Sequence, residues 1–395
     1  MPRYSHISVA VPMLDEYANL PSLLQHLRRQ TFKQFALYCC VNNEEGGAGF
    51  EGNQRSLELL RQVNDIPVVV IDRSSPGKGW TGKRKGVGWA RKLLFERIME
   101  ECDEDELVVS LDADTDFDDD YLEAVAATMN AHPGHSAFSV PYYHPLNHDE
   151  SLDRPMLRYE CYMRHYMLGL LQIGSPYAFT ALGSALAFPF WAYRRVGGIT
   201  PLQGGEDFYL LQKFAKTGRL VRRFADPYFQ RNEGPWRFSV VRPQGRASSR
   251  VPFGTGPAIA KGLASMDESY PFYSAEGFAA VKATYDLFPA LYDGDVETPM
   301  SPFLRQQLAT EDLWAPLRTN FKTRDLFVRA CAERVDGLRI LQYLKNTPAY
   351  RLTPASLPVD FLHDPVYRLD EYRRSLFAEE MMLRHALTIT LTTLH

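Results

Sequence analysis

The first 140 residues of the chain alternate between short apolar runs and longer segments with helical spacing, and this alternation limits the fold more than any other feature. Each run has the length of a buried strand, and the segments between them carry apolar residues three and four positions apart. The predicted strands are Ile7–Val11, Phe35–Val41, Pro67–Ile71 and Leu107–Leu111, and the predicted helices are Tyr17–Gln30, Asn53–Val63 and Gly82–Glu101. This pattern predicts an α/β fold with a mostly parallel sheet flanked by helices.

The rest of the chain is less regular and then becomes helical. The next predicted elements are a helix, a strand, a helix and a strand at Leu152–Leu171, Ala185–Phe188, Asp207–Thr217 and Arg219–Phe224. The later helices are predicted at Ala275–Tyr285, Pro302–Thr310, Thr323–Lys345 and Leu369–Ala386. Because 395 residues exceed one typical domain, we expect an α/β domain at residues 1–258 and a helical C-terminal accessory region at 259–395.

Net charge and cysteine content exclude some classes of protein. A formal net charge of −4 argues against a nucleic-acid-binding protein held by bulk electrostatics. The five cysteines are odd in number and lack metal-site spacing, so we expect reduced thiols and a cytoplasmic location. The first residues lead directly into a strand, and we therefore expect no signal peptide.

One stretch without charged residues, Tyr166–Tyr193, raises the question of a membrane span. Two prolines, three glycines and several hydroxyl residues interrupt it, so no apolar run reaches the ~20 residues that a span needs. We expect this stretch to form buried core or a pocket wall and not to cross a membrane. Peripheral contact with the inner face of a membrane stays open as the alternative.

Two carboxylates follow the fourth predicted strand, in the run LVVSLDADTDF at residues 107–117. Asp112 and Asp114 are one residue apart at the carboxyl end of the strand, the edge where open α/β sheets bind ligands. Hard oxygen ligands at this spacing suit Mg²⁺ or Mn²⁺, and the cation can in turn bind a diphosphate. The alternative is an acidic turn that caps the next helix.

Polar residues also follow the first three predicted strands. They are Pro12, Asp15 and Glu16 after the first strand, Asn42 after the second and Asp72 after the third. Carboxylates at such positions can accept hydrogen bonds from a ribose or from the edge of a base. For Asp15, an N-cap of the following helix is an equally good interpretation.

Two cationic, glycine-containing segments are candidates for binding phosphate. The first, SPGKGWTGKRKGVGWAR at residues 75–91, contains Lys78, Lys83 and Arg84 where a loop meets a helix start. Glycines let backbone N–H groups approach an anion, and the helix N-terminus adds positive potential. The second, RPQGRASSRVPFGTG at residues 242–256, contains Arg246 and Arg250, which can bind phosphate oxygens bidentately. The alternatives are a solvated basic helix face and a flexible surface loop.

Two further acids, Glu206 and Asp207, follow a pair of glycines at the start of a predicted helix. A carboxylate on such a loop is a candidate general base, because it can take the proton from an attacking hydroxyl group. The alternative is that the two acids only stabilise the helix dipole.

Taken in chain order, these motifs resemble those of family 2 glycosyltransferases with the GT-A fold. The matching segments are VAVPMLDEYANLPSLLQHLRRQTF, GKGWTGKRKGVGWAR, LDADTDF and RRVGGITPLQGGEDFYLLQKFAKTG, which cover roughly residues 5–225. The resemblance implies a GT-A-like catalytic domain and a nucleotide-sugar donor. It further implies that Asp112 and Asp114 hold a divalent metal with the donor diphosphate, and that Asp207 is the catalytic base of an inverting displacement.

The resemblance also implies donor contacts at other positions. Pro12, Asp15 and Glu16 correspond to the family's donor-binding opening, which more often reads Asn-Glu than Asp-Glu. Asn42 stands where the family usually has an aspartate, and Asp72 lies near the position that binds the base. Lys78 and the segment Gly82–Arg91 correspond to the part that flanks the nucleotide and diphosphate.

The expected function is therefore metal-dependent transfer of a sugar from a nucleotide sugar to an acceptor hydroxyl group. The acceptor can be a small molecule, a glycan or a lipid-linked molecule, and no nucleic acid is expected as a partner. One alternative is a sugar-phosphate nucleotidyltransferase, although its glycine-rich loop normally follows the first strand. The other is a non-catalytic relative that binds nucleotide sugars. The QxxRW motif of the family's polymer-forming members is absent from the sequence, so processive polysaccharide export is not expected.

Overall fold

The structure is a computed structural model that describes residues 3–226, 228–230, 239–247 and 255–393. The chain forms two compact units. The first comprises Met1–Met156 and Phe179–Gly262, and the second comprises Leu157–Ala178 and Leu263–His395. The five cysteines are free. Within the described ranges, no helix combines the length and the apolar character that crossing a membrane requires.

A seven-stranded sheet forms the centre of the first unit. The strands are β1 (Ile7–Met13), β2 (Phe35–Asn42), β3 (Val68–Arg73), β4 (Leu107–Ser110), β5 (Thr115–Asp116), β6 (Ala137–Ser139), β7 (Leu186–Pro189), β8 (Leu220–Val221) and β9 (Arg242–Pro243). β5 and β9 pair with each other, and the other strands lie in the order β3-β2-β1-β4-β7-β6-β8. Only β7 runs antiparallel to its neighbours in this sheet.

Helices flank this sheet, and the strands at its centre are correspondingly apolar. The helices of the first unit are α1 (Leu20–Arg29), α2 (Phe50–Gln62), α3 (Val87–Glu101), α4 (Tyr121–Ala131), α6 (Phe190–Arg195), α7 (Glu206–Thr217) and α8 (Thr255–Lys261), and α5 (Glu150–Gln172) begins in this unit. β1, β2 and β4 are buried along their whole length, as expected for strands covered on both faces. The predicted α/β fold class, a mostly parallel sheet flanked by helices with a helical C-terminal region, is therefore confirmed.

The register of the strands brings the chain segments that follow β1, β4 and β9 to one edge of the sheet. Ser110, the last residue of β4, lies opposite Ala10 of β1, and the Leu111 N–H donates to the Ala10 carbonyl at 3.0 Å. The antiparallel pair β5–β9 continues from there, and the Gln244 N–H donates to the Asp114 carbonyl at 3.2 Å. Residues 242–246 are thereby held beside Asp114.

The second unit is helical. From Leu157 onward α5 belongs to it, and its further helices are α9 (Met266–Ser269), α10 (Ala275–Leu287), α11 (Ser301–Leu308), α12 (Ala315–Asn320), α13 (Arg324–Arg334), α14 (Gly337–Asn346) and α15 (Val366–Thr393). Between α5 and α15 lies what we call the buried ion network, made of Glu160, Arg164, Asp370, Arg373, Glu380 and Arg384. Arg164 donates to Glu160 at 2.8 Å and to Glu380 at 2.7 Å.

Several predicted elements differ in extent from the observed ones, and two helices show the clearest differences. The helix predicted from Gly82 begins at Val87, because the φ angles of Gly82 and Gly86 are +65° and +93°, which a right-handed helix does not adopt. The helix predicted at Thr323–Lys345 is two helices, α13 and α14. They separate at Asp336, whose side chain accepts from the Arg339 N–H at 3.1 Å and caps α14.

Candidate active site

Arg91 on α3 joins the two acidic motifs of the sequence. Its guanidinium donates to Asp112 Oδ1 at 2.6 Å and also to Glu206 Oε1. Arg91 is 5% exposed, whereas the Asp112 side chain is 39% exposed. Burial alone would lower the pKa of Arg91, but the charges of Asp112, Glu206 and Asp207 outweigh it and raise that pKa. A permanent positive charge therefore lies between the end of β4 and the start of α7.

Glu206 and Asp207 form the first turn of α7 and differ in exposure. Glu206 is fully buried, and Asp207 is partly exposed. Burial raises the pKa of Glu206 to about 6 despite the attraction of Arg91. Burial also raises the pKa of Asp207, with a contribution from the Asp112 charge, while Arg91 opposes the shift. Of the two acids, Asp207 is the more exposed residue, and its raised pKa makes it a better proton acceptor.

Arg246 pairs with the other acid of the motif Asp112-Ala113-Asp114, which we call the DxD motif. Its Nε donates to Asp114 Oδ2 at 2.8 Å, and its Nη2 donates to Glu16 Oε1. Burial lowers the pKa of Arg246, but the charges of Asp114 and Glu16 outweigh that effect and raise it. The predicted donor-binding residues Glu16 and Arg246 thus lie together with Asp114, although 230 positions separate them in the sequence.

These residues form what we call the sheet-edge cluster, and it carries an excess of negative charge. Its members are Glu16, Arg91, Asp112, Asp114, Glu206, Asp207 and Arg246. Two arginines face five carboxylates, so three formal negative charges are left over within the cluster. In the described part of the chain, no three histidine, cysteine or acidic side chains are arranged to hold a metal ion.

Asn42 and Asp72, at the ends of β2 and β3, make hydrogen bonds within the protein. The Asn42 side chain accepts from Trp80 Nε1 at 2.9 Å and donates to the Met13 carbonyl at 2.8 Å. Asp72 accepts from two backbone N–H groups of the following turn and from Lys78 Nζ at 3.0 Å. Although burial opposes it, these donors hold the pKa of Asp72 well below its usual range. Both side chains order the loop that carries the glycines and lysines.

Four of the remaining predicted donor-binding residues are described by the structure, and none of the four is paired with a described member of the sheet-edge cluster. Pro12 is buried within β1, and Asp15 is exposed with a φ angle of +57°. Lys83 and Arg84 are exposed in the loop before α3. Arg250 lies outside the described residues. The donor-binding roles of all five stay predictions.

The sequence reasoning missed the role of Arg91, which it treated only as one of several basic residues. A signal was available, because Arg91 has helical spacing with Val87, Leu94 and Ile98, the apolar stripe of α3. A charged residue within such a stripe is buried on folding and needs a partner of opposite charge. The partners could not be identified, since Glu206 is 115 positions away.

Comparison with known proteins adds a weak likeness of fold. No model of a protein family matches the chain, and no curated protein matches it. It is similar to S. aureus TarS 1–349 in complex with UDP, at 12% identity, with 83% of this chain and 89% of that chain covered and a TM-score of 0.41. It is also similar to the mannosyltransferase PcManGT from Pyrobaculum calidifontis in complex with GDP-Man and Mn²⁺, at 15% identity, with 84% and 87% covered and a TM-score of 0.35. At these scores the likeness carries no argument about activity.

Proposed function

We propose that this chain is a glycosyltransferase that moves a sugar from a nucleoside-diphosphate sugar to an acceptor hydroxyl group. The observation that carries the proposal is the convergence of Asp112, Glu206 and Asp207 on the buried guanidinium of Arg91. This convergence lies at the carboxyl edge of a mostly parallel sheet, where α/β proteins bind ligands. The sugar as transferred group rests on the sequence resemblance to family 2 glycosyltransferases.

In this proposal Asp207 is the general base. The acceptor oxygen forms a bond to the anomeric carbon while the bond from that carbon to the diphosphate oxygen breaks, so the anomeric configuration inverts. Asp207 takes the acceptor proton as the new bond forms. Its partial exposure and raised pKa support this role. Glu206, buried against Arg91, fixes the start of α7 and with it the neighbouring Asp207.

The leaving nucleoside diphosphate gains negative charge and needs cationic partners. Arg246 is suited to bind it, because its side chain already spans Glu16 and Asp114 at the sheet edge. Lys78 is exposed in the loop after β3 and can contact the nucleotide from the other side. We propose Glu16, Asp72 and Asp112 as further contacts to the donor.

A divalent cation, Mg²⁺ or Mn²⁺, fits the chemistry of the DxD motif. Asp112 and Asp114 offer hard oxygen ligands, and within the sheet-edge cluster carboxylates outnumber arginines by five to two. Two carboxylates suffice for such an ion when water and phosphate oxygens complete its coordination. When bound, the ion would neutralise charge on the departing diphosphate. The acceptor class and a cytoplasmic location remain predictions from the sequence.

A ligand screen followed by a turnover assay tests the proposal. We expect one nucleoside diphosphate, with Mg²⁺ or Mn²⁺, to raise the unfolding temperature, because a ligand at one hundred times its Kd stabilises by about 2.7 kcal/mol. The matching nucleotide sugar should then release that diphosphate in the presence of an acceptor. D114N should lose the metal-dependent part of the stabilisation.

The matched control is D65N, which removes an exposed carboxylate that precedes β3 and pairs with Arg28. It should bind the nucleotide as the wild type does. If no nucleoside diphosphate binds, or if D114N and D65N bind it equally well with metal, the proposed donor site is wrong.

A further inference from the structure

The guanidinium of Arg91 lies directly against the backbone of Gly183. A Cβ atom at Gly183 would be 2.0 Å from Arg91 Nη2 and 2.2 Å from its Cζ. The φ angle of Gly183 does not lie in the left-handed region, so the backbone conformation itself does not require glycine. Glycine is needed at this position because the guanidinium occupies the space of a side chain.

Two of the three guanidinium nitrogens of Arg91 are paired with acids, and the third is buried without a hydrogen bond to a described residue. Nη1 and Nη2 bind Glu206 and Asp112, whereas the buried Nε has no hydrogen-bond partner among the described residues. An unsatisfied buried N–H is unfavourable, so its presence calls for an explanation. The guanidinium is rigid and planar, and any shift of it moves both acids together.

We propose that Arg91 is a positioning residue, which holds the proposed base at a fixed position relative to the DxD motif. Gly183 leaves the space that the Arg91 guanidinium needs for this, and contact with its backbone holds the guanidinium in place. The proposal rests on the proposed function only in naming Asp207 as the base. Arg91 acts through Asp112 and Glu206, and the Gly88 N–H, which donates to the Leu202 carbonyl at 3.2 Å, ties the same helix to the loop before α7. α3 is thus the element that relates the two acidic motifs.

A methyl group at position 183 should therefore displace the guanidinium and misplace the base. We expect G183A to lower kcat by about 10–100-fold, as sub-ångström to ångström errors in catalytic geometry do. The control is G134A, because a Cβ atom at Gly134 meets nothing within 4 Å. G134A should leave both kcat and the unfolding midpoint at wild-type values.

The deciding experiment compares the wild type, G183A, R91A and the double variant. In R91A the space beside Gly183 is empty, so adding G183A should change neither nucleotide affinity nor the unfolding midpoint further. Guanidinium ion in the buffer should restore part of the kcat of R91A and none in the double variant, where the methyl group fills the space. A purely structural role for Arg91 would not produce this selective rescue.

Equal effects of G183A in the wild-type and R91A backgrounds, or equal rescue of R91A and the double variant, would overturn the proposal. Should R91A fail to fold, R91Q replaces it, because its amide ends before the guanidinium carbon. If the wild type transfers no sugar, the proposed function fails. The unfolding midpoints of the same four proteins then still test the pairing of Arg91 with Gly183.

Discussion

Both units of this protein bury arginines among carboxylates, but they differ in balance of charge and in access to solvent. The buried ion network of the second unit has three arginines and three carboxylates, and none of these side chains is more than 6% exposed. The sheet-edge cluster of the first unit has two arginines for five carboxylates, and Asp112 and Asp207 reach the surface.

The difference indicates what each set of charges is for. In the buried network the six charges balance, and the exposed Arg374 also pairs with Asp370, so the network can hold helices together without any ligand. In an open cluster with excess negative charge, burial is the main cause that raises the pKa values of Glu206 and Asp207, and repulsion from neighbouring carboxylates adds to it. Such a cluster destabilises the folded chain, and a bound cation or a transferred proton relieves it. Charge imbalance, and not the presence of ion pairs, therefore distinguishes the candidate active site.

The largest expected effect is a loss of turnover when the proposed base of the sheet-edge cluster is replaced. D207N should lower kcat by about 10²–10⁴-fold, the range of general-base catalysis, with little change in donor affinity. The matched control is D325N, which alters the second residue of α13 just as D207N alters the second residue of α7. D325N should keep full turnover. Wild-type turnover by D207N would remove Asp207 from the base role.

The next largest effect is a loss of stability when an arginine of the buried ion network is replaced. R164M should lower the free energy of unfolding by about 3–5 kcal/mol, because it leaves buried Glu160 and Glu380 with excess negative charge. Chemical denaturation measures this loss, and the folded fraction should bind nucleotide with wild-type affinity. The control R305M removes a surface pair with Glu297 and should cost at most about 1 kcal/mol. Equal losses in both variants would contradict the structural role of the network.

The sequence predicted the sheet well because its signals are local. Apolar runs place β1, β2 and β4 to within two residues of their observed bounds, and the acids after β4 lie at the sheet edge as expected. The start of α3 was wrong because the φ angles of Gly82 and Gly86 depend on the loop path and not on local propensity. Periodicity does not report such angles.

The network of contacts around the site was outside the reach of sequence reasoning. Asp112 and Glu206 were recognised as candidate site residues, but nothing local shows that one arginine binds both. The need for glycine at position 183 is likewise set by a side chain 92 positions earlier in the chain. Contacts over such separations follow from the topology of the sheet, which brings α3, β4 and α7 together.

A pH titration measures how much the ionisation of Glu206 in the sheet-edge cluster lowers the free energy of unfolding. Glu206 has a pKa raised to about 6 from an ordinary value of 4.5, so the folded state holds its proton more tightly than the unfolded state. Its contribution to stability is fully present below pH 4.5 and is lost as the pH rises through 6. Relative to E206Q, the wild type should lose about 2 kcal/mol of unfolding free energy over this window.

Denaturation of both proteins between pH 4 and pH 7 checks this expectation, with E371Q at an exposed position on α15 as the background slope. A wild-type protein that gains stability relative to E206Q as the pH rises would show that Arg91 outweighs burial at Glu206.

The smallest effect on stability is expected for a substitution at Lys78, which should change nucleotide affinity much more than the free energy of unfolding. Lys78 is 57% exposed and pairs with Asp72 at 3.0 Å. Exposed pairs contribute little, so K78A should change the free energy of unfolding by about 0.5 kcal/mol or less. Its affinity for a nucleoside diphosphate, measured by calorimetry, should fall about tenfold and depend less on salt, since one charged contact is worth roughly 1.4 kcal/mol. K282A, which removes a similar exposed pair with Asp286 on α10, should match K78A in stability and the wild type in affinity. If K78A and K282A bind nucleotide with the same affinity, Lys78 does not contact the donor, and the donor site does not extend beyond the sheet-edge cluster.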